Sequence, residues 1–315
     1  MSKYNVIYFK KKWKFIKSFG LYYALVFNVY GFVKKRYPQK GITKFFHKYN
    51  YRLAYKIIYR KYKRIIQKHI NADEYSSKYK IDDSKYIWVC WWQGEEKAPS
   101  VVKACIKSIR KEFKNKHLIV IDEQNYKDYI SIPKSIIDKV NRGIFTTTFF
   151  SDILRTSLLS KYGGIWIDAT VFIANLSIPI NTYSFFSVKH NLFRNWHVCR
   201  GKWSGFFMGC APSNNGVALI NDILEQYALD EEQLMAYLLI DVAISIAYDY
   251  IPSFHMQVDQ VPINNTKIFE MDKDMNKSFD KYIIPSDINK LSYKHNYRLE
   301  KNKMTVYKAL LEGLL

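Results

Sequence analysis

The sequence predicts an α/β fold: a mixed, mostly parallel sheet flanked by helices, preceded by a basic helical N-terminal region. Three observations carry this. After residue 80, short apolar runs rich in β-branched and aromatic residues alternate with stretches of helical period. Hydrophobic residues make up 48% of the 315-residue chain, with 26 Tyr and 20 Phe, which is ample for a large core. The charge is lopsided: residues 1–80 hold 21 Lys and Arg against Asp73 and Glu74, while residues 81–315 hold 28 basic and 26 acidic residues. Of the formal net charge of +21, +19 therefore belongs to the first 80 residues.

In residues 1–80, Tyr, Phe, Ile and Leu interleave with Lys and Arg, as in FFHKYNYRLAYKIIYRKYKRIIQKHI. That mixture suits helices with one apolar and one cationic face, which bind an anionic membrane surface or pack as a solvated face on the rest of the chain. No recognition motif accompanies the charge, so nucleic acid is not an expected partner. The uncharged run at residues 18–33 has 16 residues, short of the ~20 that a spanning helix needs. No signal-peptide pattern opens the chain, and the four cysteines, Cys90, Cys105, Cys199 and Cys210, show no metal-ligand spacing. These features together predict a cytoplasmic protein attached peripherally to the inner face of the cell membrane. A polar stretch at residues 71–84 reads as the linker to a domain at 81–315, which is expected to fold by itself.

In that domain, strands are expected at 86–92 (YIWVCWW), 117–121 (HLIVI), 165–167, 185–188 and 206–208. Pro99 suits the first turn of a helix to about residue 113. Further helices are expected at 133–141, 146–162, 216–227 and 231–247. The helix at 146–162 has Phe149, Phe150, Ile153, Leu154, Leu158 and Leu159 at helical spacing and ends at Gly163-Gly164.

Parallel sheets bind ligands at the carboxyl ends of their strands. Three strand ends here carry polar groups: Trp92-Gln93-Gly94, Asp122 and Asp168-Ala169-Thr170. In SDILRTSLLSKYGGIWIDATVF, Asp152 and Arg155 are three apart and share a helix face, and the strand then delivers Asp168. A hard carboxylate at a strand end suits a divalent cation bridging two phosphates. The forked guanidinium of Arg155 suits phosphate or sugar oxygens, and the short carboxylate of Asp152 suits sugar hydroxyls. The plain readings are an ordinary helical ion pair for Asp152 and Arg155 and a turn residue for Asp168. Asp122 reads equally as a nucleotide contact or a loop-entry residue. Asp241, inside the apolar LLIDVAIS, either supports the reaction centre and acceptor or is a paired core carboxylate.

The pattern S-D-x-x-R, an apolar run, then Y-G-G-x-W-x-D-x-T resembles glycosyltransferases with a DxD-type metal motif, such as Och-type mannosyltransferases and glucosylating toxins. It is most similar to capsular polysaccharide synthesis proteins, through IWVCWWQGEEKAPSVVKACIKSI, FSDILRTSLLSKYGGIWIDATVF, FFMGCAPSNN and LLIDVAI. The resemblance covers roughly residues 85–295 and implies a GT-A-like, nucleotide-sugar-binding fold. Trp91 or Trp92 would stack on the base, with Gln93 and Asp122 beside the nucleotide. Asp152, Arg155 and Gly164 would hold the donor sugar. Asp168 would hold Mn2+ or Mg2+, joined by Thr170 and a late-chain residue, His295, with Lys294 near phosphate. His295 and Lys294 also read as plain surface residues. Thr170 departs from the family pattern, where a second acid stands, so the site loses one negative charge.

The reaction this implies is retaining transfer from a nucleotide-diphospho-sugar, a UDP-sugar by resemblance, to a lipid-linked oligosaccharide or polysaccharide acceptor in capsule or exopolysaccharide synthesis. The rival reading, kept open by Thr170, is a non-catalytic membrane-associated scaffold of a polysaccharide assembly complex.

Overall fold

The computed structural model describes residues 12–38, 40–74, 79–299 and 303–315. A helical segment at residues 12–19 leads into α1 (Leu21–Arg36), α2 (Gly41–Lys61) and α3 (Lys63–Asn71). The uncharged run is thus broken at Gly20, whose φ of 87° suits glycine. Among the described residues, no helix is long and apolar enough to cross a membrane.

The α/β part follows as β1 (Tyr86–Cys90), α4 (Ser100–Glu112), β2 (His117–Ile121), α5 (Tyr126–Tyr129), α6 (Lys134–Asn141), α7 (Thr147–Tyr162) and β3 (Gly164–Ile167). Then come β4 (Val171–Ile173), β5 (Phe185–Ser187), β6 (Phe207–Cys210), α8 (Asn215–Asp230), α9 (Leu239–Tyr250), α10 (Pro252–Gln260), α11 (Glu270–Asp274), β7 (Ile288–Lys290) and α12 (Val306–Glu312). Strands β1, β2, β3, β5 and β6 form one sheet in the order β2-β1-β3-β6-β5. Strands β2, β1 and β3 are parallel, and β6 alone runs the other way. The mixed, mostly parallel sheet predicted from the sequence is therefore present.

Alternate side chains feed two cores. Trp88, Trp166 and Met208 point to the face covered by α7, α8 and α9, and Ile87, Val89, Ile165, Ile167 and Phe207 to the face covered by α4. Burial on both faces explains why these strands read as continuous apolar runs rather than alternating ones. Tyr51, Ala54, Ile58 and Ile66 of α2 and α3 belong to the first of these cores. The Tyr23 hydroxyl donates to the Met235 carbonyl (2.9 Å), Tyr55 to Asp249 (2.9 Å), and Lys61 pairs with Glu231. Packing therefore continues across residue 80, where the charge composition changes.

The helix expected over 231–247 starts only at Leu239. Helix α8 runs on to Asp230, where the buried Lys139 ammonium takes the carbonyls of Ala228, Leu229 and Glu231 at 2.8–2.9 Å. A cation on the last carbonyls closes a helix favourably. The Tyr227 hydroxyl then fixes the following loop by donating to the Gln233 carbonyl (2.6 Å) and accepting from the Met235 amide (2.8 Å).

Gly164, expected at the donor sugar, stands at the start of β3, the opposite end of the strand from Asp168. Its φ is +92°, and a Cβ there would lie 2.3 Å from the Tyr86 carbonyl oxygen of β1. Glycine is needed for close strand approach and a positive φ. Gly164→Ala is expected to destabilise the fold strongly, lowering the melting temperature by roughly 5 °C or more. A melting temperature equal to wild type would refute this account of the position.

Candidate active site

Parallel pairing sets the carboxyl ends of β1, β2 and β3 on one edge. The Trp91 amide donates to the Ile121 carbonyl (3.0 Å) and the Glu123 amide to the Trp92 carbonyl (3.1 Å), tying the first two strand ends together. The third strand turns sharply after Ile167: the Asp168 amide donates to Phe206 (2.8 Å) and the Val171 amide to the Asp168 carbonyl (2.9 Å). This turn holds the Asp168 side chain at the edge of the sheet.

Asp168 is the centre of an ion network. Its Oδ1 accepts from Arg155 Nη2 (3.1 Å) and from the Trp166 indole (3.0 Å). Its Oδ2 pairs with Lys290 Nζ at 3.1 Å, and the same ammonium lies 2.5 Å from Thr170 Oγ1. Arg155 also pairs with Asp152 (Nη1 to Oδ1, 3.2 Å) and lies over the Trp166 ring, 5.1 Å from its centroid. Its Nε is buried with no hydrogen-bond partner among the described residues. Gly205 makes room for the guanidinium, since a Cβ there would come within 2.8 Å of Nη1. Asp241, on the first turn of α9, accepts from the buried Trp203 indole at 2.9 Å.

Residues 35–310 match the family described as capsular polysaccharide synthesis protein. The chain belongs to that family. The match runs from the end of α1 into α12 and so takes in most of the N-terminal helices as well as the sheet. Membership gives the chain a role in capsular polysaccharide synthesis. A comparison with curated proteins gives no match. A solved structure titled PaToxG Glycosyltransferase is similar over 67% of this chain and 82% of its own, with 15% identity and a TM-score of 0.41, too slight a likeness to bear on chemistry.

In this capsular polysaccharide synthesis protein, Asp152, Arg155, Asp168, Thr170 and Asp241 are brought together, and four other expected residues line the neighbouring strand ends. Trp91 and Trp92 are each half-buried. Trp92 packs on Tyr126 and Phe150, and Trp91 meets Tyr293 edge-on, its indole N–H buried without a partner among the described residues. Gln93 is exposed beside them. Asp122 folds its own loop, accepting from the amides of Gln124 (2.8 Å) and Asn125 (2.9 Å). His295, expected at the metal, pairs instead with Asp272 (2.9 Å), and Lys294 lies over Tyr293. The lysine at Asp168 is Lys290, four residues earlier. Tyr237, in the loop where a helix was expected, is also at the site: its phenol is raised by partial burial and then by Asp152 and Asp168.

Burial pushes Asp152 up to about 7, with Asp241 and Asp168 adding to the rise and Arg155 opposing it. Burial also raises Asp241 to about 6, against the Trp203 hydrogen bond and Arg155. For Asp168 the burial effect is outweighed by Lys290, then Arg155 and Trp166, which hold it below the ordinary carboxylate value. A carboxyl raised to about 7 keeps its proton in the folded protein while the unfolded chain has lost it. Its stabilising share is full below about pH 4 and disappears as the pH climbs through about 7. Asp168 has the opposite sign, and its contribution is lost only in acid. Asp152→Asn is expected to flatten the fall in melting temperature between about pH 5 and about pH 7.5. Identical slopes for variant and wild type would show that Asp152 ionises normally.

Proposed function

We propose that this chain transfers a sugar from a nucleotide-diphospho-sugar, a UDP-sugar by the family resemblance, to a hydroxyl of a growing lipid-linked capsular polysaccharide, with retention at the anomeric carbon. The observation that carries the reading is the Asp152–Arg155–Asp168–Lys290 network at the carboxyl edge of the parallel strands. Arg155 and Lys290 are two cations held in place by one carboxylate. Both can turn donor groups toward a departing diphosphate, whose growing charge is the main demand of the reaction. The spare Arg155 Nε adds one more donor. Asp152, titrating near neutrality, can donate to or accept from a sugar hydroxyl, and Trp91 and Trp92 offer flat faces to a base at the adjoining strand ends.

Asp168 Oδ2 and Thr170 Oγ1 already converge on one cation, the Lys290 ammonium. A divalent ion of the Mg2+ or Mn2+ type would take these two oxygens only by displacing that ammonium, with substrate phosphates and water completing its shell, and among the described residues no group of three or more His, Cys, Asp or Glu is placed to hold one. When bound, such an ion supplies charge for the leaving diphosphate. An arriving diphosphate adds negative charge beside the ionised Asp168, which such an ion would help to offset.

Attachment to an anionic membrane surface at the inner face of the cell membrane is part of the same proposal. Leu21, Tyr22, Leu25, Val29 and Phe32 are all exposed along one side of α1, which ends in Lys34, Lys35 and Arg36. An exposed apolar stripe bordered by cations suits a lipid surface.

The test is donor hydrolysis by purified full-length protein across a panel of nucleotide-sugars, with and without Mn2+. Slow hydrolysis of one donor, stimulated by the metal, is expected. A scaffold would neither hydrolyse nor bind any donor, and that result would replace this reading.

A further inference from the structure

A second site lies on the other side of Asp241. A cavity of about 500 Å³ opens between α2, the segment 194–200 and α9, lined by Lys48, Arg52, Lys56, Arg194 and Arg200. Lys48, Arg52 and Lys56 stand at successive turns of α2 and so line one face of it. Arg200 is satisfied by Asp249 through two bonds of 2.9 Å. Among the described residues, the other four cations have no ion-pair partner. Four unpaired cations around one hollow are mutually repulsive unless an anion joins them. Tyr51, Tyr55 and Trp196 complete the walls and offer flat apolar surface beside the charge.

Its position relates the cavity to the reaction. Asp241 and Ser245 lie one turn apart on α9, about 6 Å along its axis. Asp241 faces the Arg155 network, while Ser245 lines the cavity and donates to the Val198 carbonyl at 3.3 Å. The site of chemistry and the basic hollow therefore adjoin along one helix.

We propose that this hollow binds the sugar-diphosphate end of the acceptor. A single carboxylate would leave most of the cations unmatched, whereas a diphosphate meets several at once, and arginines suit its paired oxygens. The volume exceeds that of a diphosphate alone, so a first sugar fits beside it against Trp196 and the tyrosines. The exposed Phe45 lies on the same face of α2, one turn before Lys48, where a lipid chain leaving the diphosphate would pass. This inference rests on the transferase reading for the word acceptor; the anion site itself does not.

The experiment is calorimetric titration of full-length protein, with the donor site first saturated by UDP. The probes are inorganic diphosphate and farnesyl diphosphate, added to wild type and to the double variant Arg52→Gln, Arg194→Gln. Wild type is expected to bind both, and the variant roughly tenfold or more weaker. A tighter farnesyl compound would mark a lipid source, and equal affinities a free or polymer-borne diphosphate. Donor hydrolysis and melting temperature are expected to be unchanged in the variant, so a failed transferase reading shows up separately, as absent hydrolysis in wild type. Wild type that binds neither probe with UDP present, or a variant that binds both as wild type does, would overturn the site. Stronger binding of a uronic-acid oligosaccharide than of diphosphate would also overturn it.

Discussion

Asp168→Asn is expected to lower sugar transfer by ~100-fold or more while the protein still folds. Asp168 holds Arg155 through one oxygen and Lys290 through the other, so the carboxylate decides where both cations stand. Asparagine keeps the shape and a carbonyl for the Trp166 indole, but removes the charge that pulls the cations together. Alanine is the poorer test. It would leave two partly buried cations without their shared anion, and breaking a buried pair costs on the order of 3–5 kcal/mol. Loss of activity in that variant could be loss of fold. Transfer by Asp168→Asn within about threefold of wild type, at an unchanged melting temperature, would remove Asp168 from the chemistry.

The second large effect is at Arg155. Arg155→Lys is expected to cost ~100-fold in transfer although the formal charge is kept. The guanidinium reaches Asp152 with Nη1 and Asp168 with Nη2 while its plane lies over Trp166. An ammonium is a point charge and cannot span both carboxylates from one place. Binding of UDP alone is expected to be nearly unchanged, because Arg155 sits with Asp152 rather than with the Trp91–Asp122 strand ends. Equal weakening of UDP and UDP-sugar would instead place Arg155 on the nucleotide.

Much of this site was legible in the sequence because it is local. Asp152, Arg155 and Asp168 lie within 17 residues, on one helix and the strand that follows it. Helix α7 announces both its ends, with Thr146 accepting from the Phe149 amide at the start and Gly163 at the finish. Strands β1 and β3 are buried on both faces and so stand out as apolar runs. What escaped depends on contacts between distant segments. Lys290 arrives on β7, three residues long and pairing with β4 across more than 100 residues, and Ile-Asn-Lys carries no strand signal. Lys294 and His295 were within reach of the right segment, but nothing local fixed the register. Likewise Lys139, which closes α8, comes from another helix, so the loop carrying Tyr237 looked like a continuing helix. Gly205 had one available sign, a lone glycine just before the apolar β6 strand.

The core shared by α2, α3 and the sheet changes what can be done with the molecule. Trp88 at its centre packs in the same cluster as Ile58 and Ile66, so residues 81–315 made alone would present a bare apolar wall to water. The basic arm is then part of the folded body and no detachable tail. It is expected to melt with the rest in a single transition, because one apolar core holds both.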